Sequence, residues 1–176
     1  LLALSRAESP DWAPRLEPVD VGATARTVVD ELRDRAAEHG VRLSVEIEAP
    51  EGPRAQADAT SLEHVLTNLV DNAIRHTRPG THVRVRARTD AGAVLVEVAD
   101  DGPGIPERHL PRIFERFYRV DPGRSRQVGG TGLGLSIVRH LVQRMGGSVS
   151  VDSQIGTGTT FTIRLRAADE GERPSA

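Results

Sequence analysis

The 176-residue sequence contains no cysteine, and all 23 of its Lys+Arg residues are arginine, so lysine is absent too. Without cysteine there is no disulfide, no thiolate nucleophile and no Cys-ligated zinc. A chain without thiols fits any redox compartment. Without lysine, a Walker A phosphate loop, a lysine-dependent kinase site of the eukaryotic type and Schiff-base catalysis are excluded. A strong charge of one sign is also lacking. The 25 Asp+Glu against 23 arginines leave a formal net charge of −2, which argues against nucleic acid as a partner, since its binders usually carry a basic excess. No apolar run approaches the roughly 20 residues that a membrane-crossing helix needs. The opening Leu1-Leu2-Ala3-Leu4 is too short for a signal peptide and has no basic leader.

What is present suits one domain with a modest extension. Hydrophobic residues make up 38%, enough for a core, while 17 Gly and 11 Pro make the chain loop-rich. Residues 1–9 read as the last turns of a helix whose start is absent, as in a piece of something longer. Pro10, Pro14 and Pro18 make the following stretch a linker or edge segment. Asp20 is the expected N-cap of a helix with Val21, Ala25, Val28, Val29, Leu32 and Ala36 on one stripe, ended by Gly40. Val41 to Glu48 alternates as a half-buried strand. A second helix is expected from Asp58 to His76, and a hairpin over His82–Thr89 and Ala93–Ala99 around Asp90-Ala91-Gly92. Pro106 opens a short helix containing Ile113, Phe114 and Phe117. An aperiodic polar stretch, Arg119 to Gly130, precedes a third helix over Gly132–Met145 and a second hairpin over Gly147–Asp152 and Thr159–Arg166. The expected architecture is an α+β two-layer sandwich, a mixed sheet packed on three helices.

Four constellations stand out. Asn68 and Asn72 lie one helical turn apart, about 6 Å, on one face, beside Arg75 and His76. Asparagine is a mediocre helix former, and its neutral amide oxygen suits Mg²⁺ accompanied by phosphate oxygens and water. Two solvent-facing asparagines are the plainer alternative. Asp100-Asp101-Gly102-Pro103-Gly104-Ile105 follows directly on a valine-rich strand. A carboxylate at the strand end can accept from the amine of adenine and opposes the carbonyl of guanine, while the glycines let a planar ligand approach. A surface turn is the competing reading. Gly129-Gly130-Thr131-Gly132-Leu133-Gly134-Leu135 opens a helix and offers N–H groups to an anion. Its spacing is not that of the dinucleotide fingerprint. Arg116, Arg119, Arg124 and Arg126 lie upstream as phosphate-compatible donors or as a solvated loop. Gly156-Thr157-Gly158-Thr159-Thr160 reads as a hairpin turn.

In this order the segments resemble the nucleotide-binding fold shared by gyrase, Hsp90, bacterial histidine kinases and MutL, in its sensor-histidine-kinase branch. LEHVLTNLVDNAIRHT resembles the N box, DDGPGI, GGTGLGLSIV and GTGTTFTI the three glycine boxes, and IFERFYR the F box. The likeness spans roughly Asp20 to Arg166. It implies ATP and Mg²⁺ as cofactors, with Asn72 as the Mg²⁺ ligand, Asn68 beside it, and Arg75 and His76 at the phosphate and adenine edges. It implies Asp100 as acceptor from adenine, Gly102, Gly104 and Ile105 making room, and Thr160 close to the base. Tyr118 and Arg119 would begin the ATP lid, and Gly130, Thr131, Gly132, Leu133, Gly134 and Leu135 would carry the phosphate-facing turn. Phe114 and Phe117 are expected to pack.

The implied activity is transfer of the γ-phosphate to a histidine on an upstream dimerisation domain, for relay to a response regulator. Asn68 stands where hydrolysing relatives carry a glutamate base, so slow hydrolysis is expected. None of the six histidines (His39, His64, His76, His82, His109, His140) lies in the family's acceptor pattern. Residues 1–13 are therefore read as the end of the acceptor domain and its linker, 14–167 as the ATP-binding domain and 168–176 as a tail. The parent is expected to be a membrane-anchored homodimer with this domain in the cytoplasm, and this piece a monomer. A serine kinase of the anti-sigma-factor type and a non-catalytic nucleotide sensor are the alternatives. The F box and residues 1–9 count against the first, and intact Asn72, Asp100 and glycine boxes against the second.

Overall fold

Asp20 ends one strand and starts one helix. It closes β1 (Glu17–Asp20), and its carboxylate accepts from the Ala23 N–H at 2.8 Å, capping α1 (Val21–Glu31). The computed structural model describes residues 13–48, 52–120 and 131–168. The first helix is not continuous: at Leu32 the backbone leaves the helical region (φ −94°, ψ 0°), and a short α2 (Arg33–Glu38) follows. Gly40, at φ 67°, takes the left-handed turn into β2 (Arg42–Ile47). β3 (Arg54–Ala57) pairs antiparallel with β1, a two-stranded sheet of which the sequence reading anticipated at most one edge.

The Asp58 carboxylate caps α3 (Ala59–His76) by accepting from the Ser61 N–H at 2.8 Å. Its apolar stripe, Leu62, Val65, Leu66, Leu69, Val70, Ala73 and Ile74, is buried as the helical spacing requires. β4 (His82–Asp90) and β5 (Ala93–Asp100) form the first hairpin, and β6 (Ser148–Gln154) and β7 (Gly158–Arg166) the second. Among the described residues these join β2 in a five-stranded sheet, ordered β2-β4-β5-β7-β6, in which β2 and β4 run parallel and the other pairs antiparallel. Val83, Val85, Val94, Val96, Val98, Phe161, Ile163 and Leu165 share one face and one core with α1, α3 and α4 (Gly134–Arg144). The opposite face is polar, with Arg86 reaching Glu46 at 2.6 Å. The expected α+β sandwich, a mixed sheet on helices, is the fold observed.

The segment after Pro106 departs from expectation. A 3₁₀ helix (Glu107–Arg112, containing Pro111) ends before Ile113, Phe114 and Phe117. Phe114 is buried and meets Phe161 edge to face, with ring centroids 6.2 Å apart. Phe117 is not a packing residue. It is 70% exposed, because a left-handed backbone (φ 63°) turns its side chain outward while its N–H donates to the Gly132 carbonyl. The expected acceptor-domain remnant, apart from Ala13, lies outside the described residues. So do Arg124, Arg126 and Gly130, and the tail apart from Ala168.

Candidate functional site

The site is built along α3. Asn68 and Asn72 are both half-buried on it. Asn68 Nδ2 donates to the His64 carbonyl one turn back at 2.8 Å, which fixes the amide's orientation. Its Oδ1 lies against Gly134, where an added Cβ would stand 3.1 Å away, tighter than an ordinary contact, so glycine at 134 lets the start of α4 approach the amide without displacing it. The Asn72 amide makes no hydrogen bond among the described residues. Arg75 Nε is 2.7 Å from Asp71 Oδ2, and Arg35 of α2 reaches Asp71 Oδ1 at the same distance, so Arg75 is held from behind by an acidic neighbour. His76 ends the helix at the surface. Crowding by its surroundings and the nearby cations of Arg75 and Arg119 hold its imidazole below the usual histidine range, against the weaker pull of Asp71.

At the far end of α3, Thr77 meets the loop after β5. A Cβ on Gly102 would lie 2.6 Å from both Thr77 Cγ2 and Asp100 Oδ1, so only glycine allows the loop to pass over the carboxylate. Gly104 abuts the Gln154 carbonyl, and Ile105 packs partly on the core. Asp100 is half-buried. Burial pushes its carboxyl up, the N–H groups of Gly102 (2.9 Å) and Thr159 draw it down, and Asp101 adds a like charge; the net shift is upward. Asp101, by contrast, is structural: its carboxylate accepts from the His82 N–H at 2.7 Å.

The register corrects one residue. Asp100 pairs with Thr159 and Ala99 with Thr160. Successive side chains alternate across a strand, so Thr159, buried in line with Phe161 and Ile163, shares the face of Asp100. Thr160 points to the opposite side and is not brought to the site. Counting back by twos from Phe161 gives Thr159, a signal the sequence already held. Thr77 and Ser153 were missed as well; neither belongs to a recognisable motif, because their parts arise from contacts between distant segments.

The second glycine box meets the F box. Gly132 (φ 71°) accepts from Phe117 N–H, and a Cβ there would collide with the Phe117 backbone at 2.9 Å. Thr131 is exposed, and its Oγ1 accepts weakly from the Leu133 N–H. Leu133 precedes α4, whose first turn has no side-chain cap, and Leu135 packs against the core. Tyr118 is pinned, its hydroxyl 2.6 Å from His109 Nδ1 and the Arg112 guanidinium 4.3 Å above its ring.

An α+β sandwich with a strand-end carboxylate, paired helical amides and glycine contacts at the middle and the C-terminus of one helix defines a nucleotide-binding class. Residues 57–169 match the family described as histidine kinase-, DNA gyrase B-, and HSP90-like ATPase. The chain belongs to that family and is a catalytic ATP-binding domain of its histidine-kinase branch. It is 40% identical over 165 residues to the sensor-like histidine kinase SenX3 of Mycolicibacterium smegmatis, covering 94% of this chain and 42% of that protein. It is 36% identical over 167 residues to the sensor protein IrlS of Burkholderia pseudomallei, covering 95% and 35%. Among solved structures, full-length ShkA in complex with AMPPNP superposes with a TM-score of 0.82 at 33% identity, covering 95% of this chain and 34% of that one. The mycobacterial sensor histidine kinase MprB superposes with a TM-score of 0.73 at 30% identity, covering 86% and 97%. The chain spans about two fifths of the length of the first of these curated relatives. No described helix is long and apolar enough to cross a membrane.

Proposed function

We propose that this domain binds Mg-ATP along α3 and presents the γ-phosphate to a histidine of an upstream dimerisation domain, for relay to a response regulator. The observation that carries the reading is that the C-terminal half of α3 is approached at two places through a glycine: Gly134 at Asn68 in mid-helix, and Gly102 beside Asp100 at Thr77, the C-cap. Nine helical rises separate Asn68 from Thr77, about 13 Å, a span suited to an extended nucleotide triphosphate. Asp100 would accept from the adenine amine. The uncapped start of α4, through Gly132, Leu133 and Gly134 and with Thr131 and Leu135 beside it, would receive the phosphates. Arg119 and Arg75 would add permanent charge, Tyr118 would root the lid, and His76 would flank the base. Gly104 and Ile105 would shape the adenine pocket.

Mg²⁺ fits the donor set. The Asn72 amide is uncommitted among the described residues, and no group of three His, Asp or Glu side chains there could hold a metal without the nucleotide. A hard cation that keeps water and phosphate oxygens needs only one such protein ligand. When bound, it would neutralise phosphate charge. Asn68, donating to its own helix, cannot take a proton from water. Glu63 is exposed and about 140° away around the helix. Transfer to histidine therefore outpaces hydrolysis. The parent is read as a membrane-anchored dimer, with residues 1–13 the end of its acceptor domain. Calorimetry with ATP, ADP and GTP, with and without Mg²⁺, tests the reading: adenine nucleotides bind and GTP does not, and Mg²⁺ tightens ATP. Equal affinity for ATP and GTP contradicts it.

A further inference from the structure

Ser153, on β6, stands where the loop after β5 meets both strands of the second hairpin, and its hydroxyl has no spare bonding capacity. Its Oγ accepts from the Ile105 N–H at 2.7 Å, lies 3.0 Å from the Gly158 carbonyl oxygen and 2.9 Å from Thr159 Oγ1. A hydroxyl has one hydrogen and two lone pairs. Ile105 brings a hydrogen and fills one lone pair. A carbonyl brings none, so the Ser153 hydrogen goes to Gly158. The third contact is then satisfied only if Thr159 is the donor. The reverse assignment leaves two acceptors facing each other 3.0 Å apart, in a place where Thr159 is only 6% exposed.

We propose that Ser153 is a positioning residue for base selection: by taking the Thr159 hydrogen, it leaves Thr159 only lone pairs to present beside the Asp100 carboxylate. The proposal rests on the reading of Asp100 as the purine selector. Thr159 sits opposite Asp100 on the helix-facing side of the sheet. Two acceptors side by side match an exocyclic amine, directly or through a water, and oppose a ring carbonyl. Without Ser153 Oγ the Thr159 hydroxyl is free to rotate and donate, so a carbonyl at that position is tolerated. The same hydroxyl also staples the Ile105 backbone to Gly158, fixing the loop that carries Gly102 over Asp100.

The test titrates the 176-residue chain with Mg-ATP and Mg-ITP, which differ at purine position 6 and the adjoining ring nitrogen. The wild-type chain prefers ATP. Ser153→Ala lowers the ATP-to-ITP affinity ratio about tenfold, the factor corresponding to one hydrogen bond. Ser153→Thr, which keeps a hydroxyl, retains the preference. In a Thr159→Val background Ser153→Ala changes the ratio no further. If Ser153→Ala weakens both nucleotides equally, its role is structural and the proposal is overturned, while the assignment of Asp100 survives. A wild-type chain that does not distinguish the two nucleotides removes the Asp100 assignment as well. Should Ser153→Ala fail to fold, Thr159→Val alone decides, and an unchanged ratio overturns the proposal.

Discussion

The proposed function divides nucleotide recognition between two side chains. In it Asn72 holds Mg²⁺ and has no competing hydrogen-bond partner among the described residues, so Asn72→Ala is expected to remove the Mg²⁺-dependent part of ATP affinity and leave thermal stability nearly unchanged, as calorimetry and melting curves report together. Asp100 is different, because its environment disfavours its charge. A carboxyl whose pKa is raised on folding is protonated more readily in the folded state than in the unfolded one. Its ionisation therefore costs stability above the unfolded pKa, and that cost is relieved as pH falls through the raised folded value. The adenine contact proposed for Asp100 uses its ionised form, so ATP affinity is expected to fall on acidification at a pH above that at which an ordinary aspartate protonates. Asp100→Asn abolishes this pH dependence, lowers ATP affinity and leaves the apo domain at least as stable at neutral pH. An affinity profile that is flat down to the ordinary aspartate range contradicts the role given to Asp100.

The elements carry those residues through packing that periodicity revealed, and contacts that it did not. α3 was legible because seven apolar positions at helical spacing follow an Asp58 cap. Asp58→Ala costs about 1 kcal/mol in denaturant unfolding. Leu66→Ala, which empties a fully buried site between helix and sheet, costs about 2–5 kcal/mol. Both valine-rich hairpins were legible for the same reason, since alternation fixes which face is buried. β3 was not, because Arg54-Ala55-Gln56-Ala57 is too short and too weakly apolar to announce a strand; pairing with β1 makes it one. The break at Leu32 and the outward turn of Phe117 were hidden too. Apolar residues continue the pattern there, while the backbone turns on local geometry and on the Phe117–Gly132 hydrogen bond. Thr160 was misplaced by one residue, an error that matters in a strand because every step reverses the face. Gly158→Ala tests this junction directly: its Cβ would lie 1.9 Å from the Asp100 carbonyl oxygen, so the variant loses the β5–β7 pairing near the site and its nucleotide affinity.

At the scale of the whole molecule, the proposed function makes this domain the holder of the phosphoryl donor, with the acceptor histidine on another domain. Given an upstream histidine hairpin in trans, it labels that hairpin with an acid-labile phosphoryl group from ATP, while hydrolysing ATP slowly by itself. Acid-stable labelling favours a serine acceptor instead. The central claim, that one adenine nucleotide lies along α3, is tested most directly by a crystal structure with Mg²⁺ and a non-hydrolysable ATP analogue. The account predicts the adenine amine on Asp100, the metal on the Asn72 amide and the phosphates at the start of α4. A nucleotide seated on the other face of the sheet, or with its base beside Asn68 in the middle of α3, would contradict it.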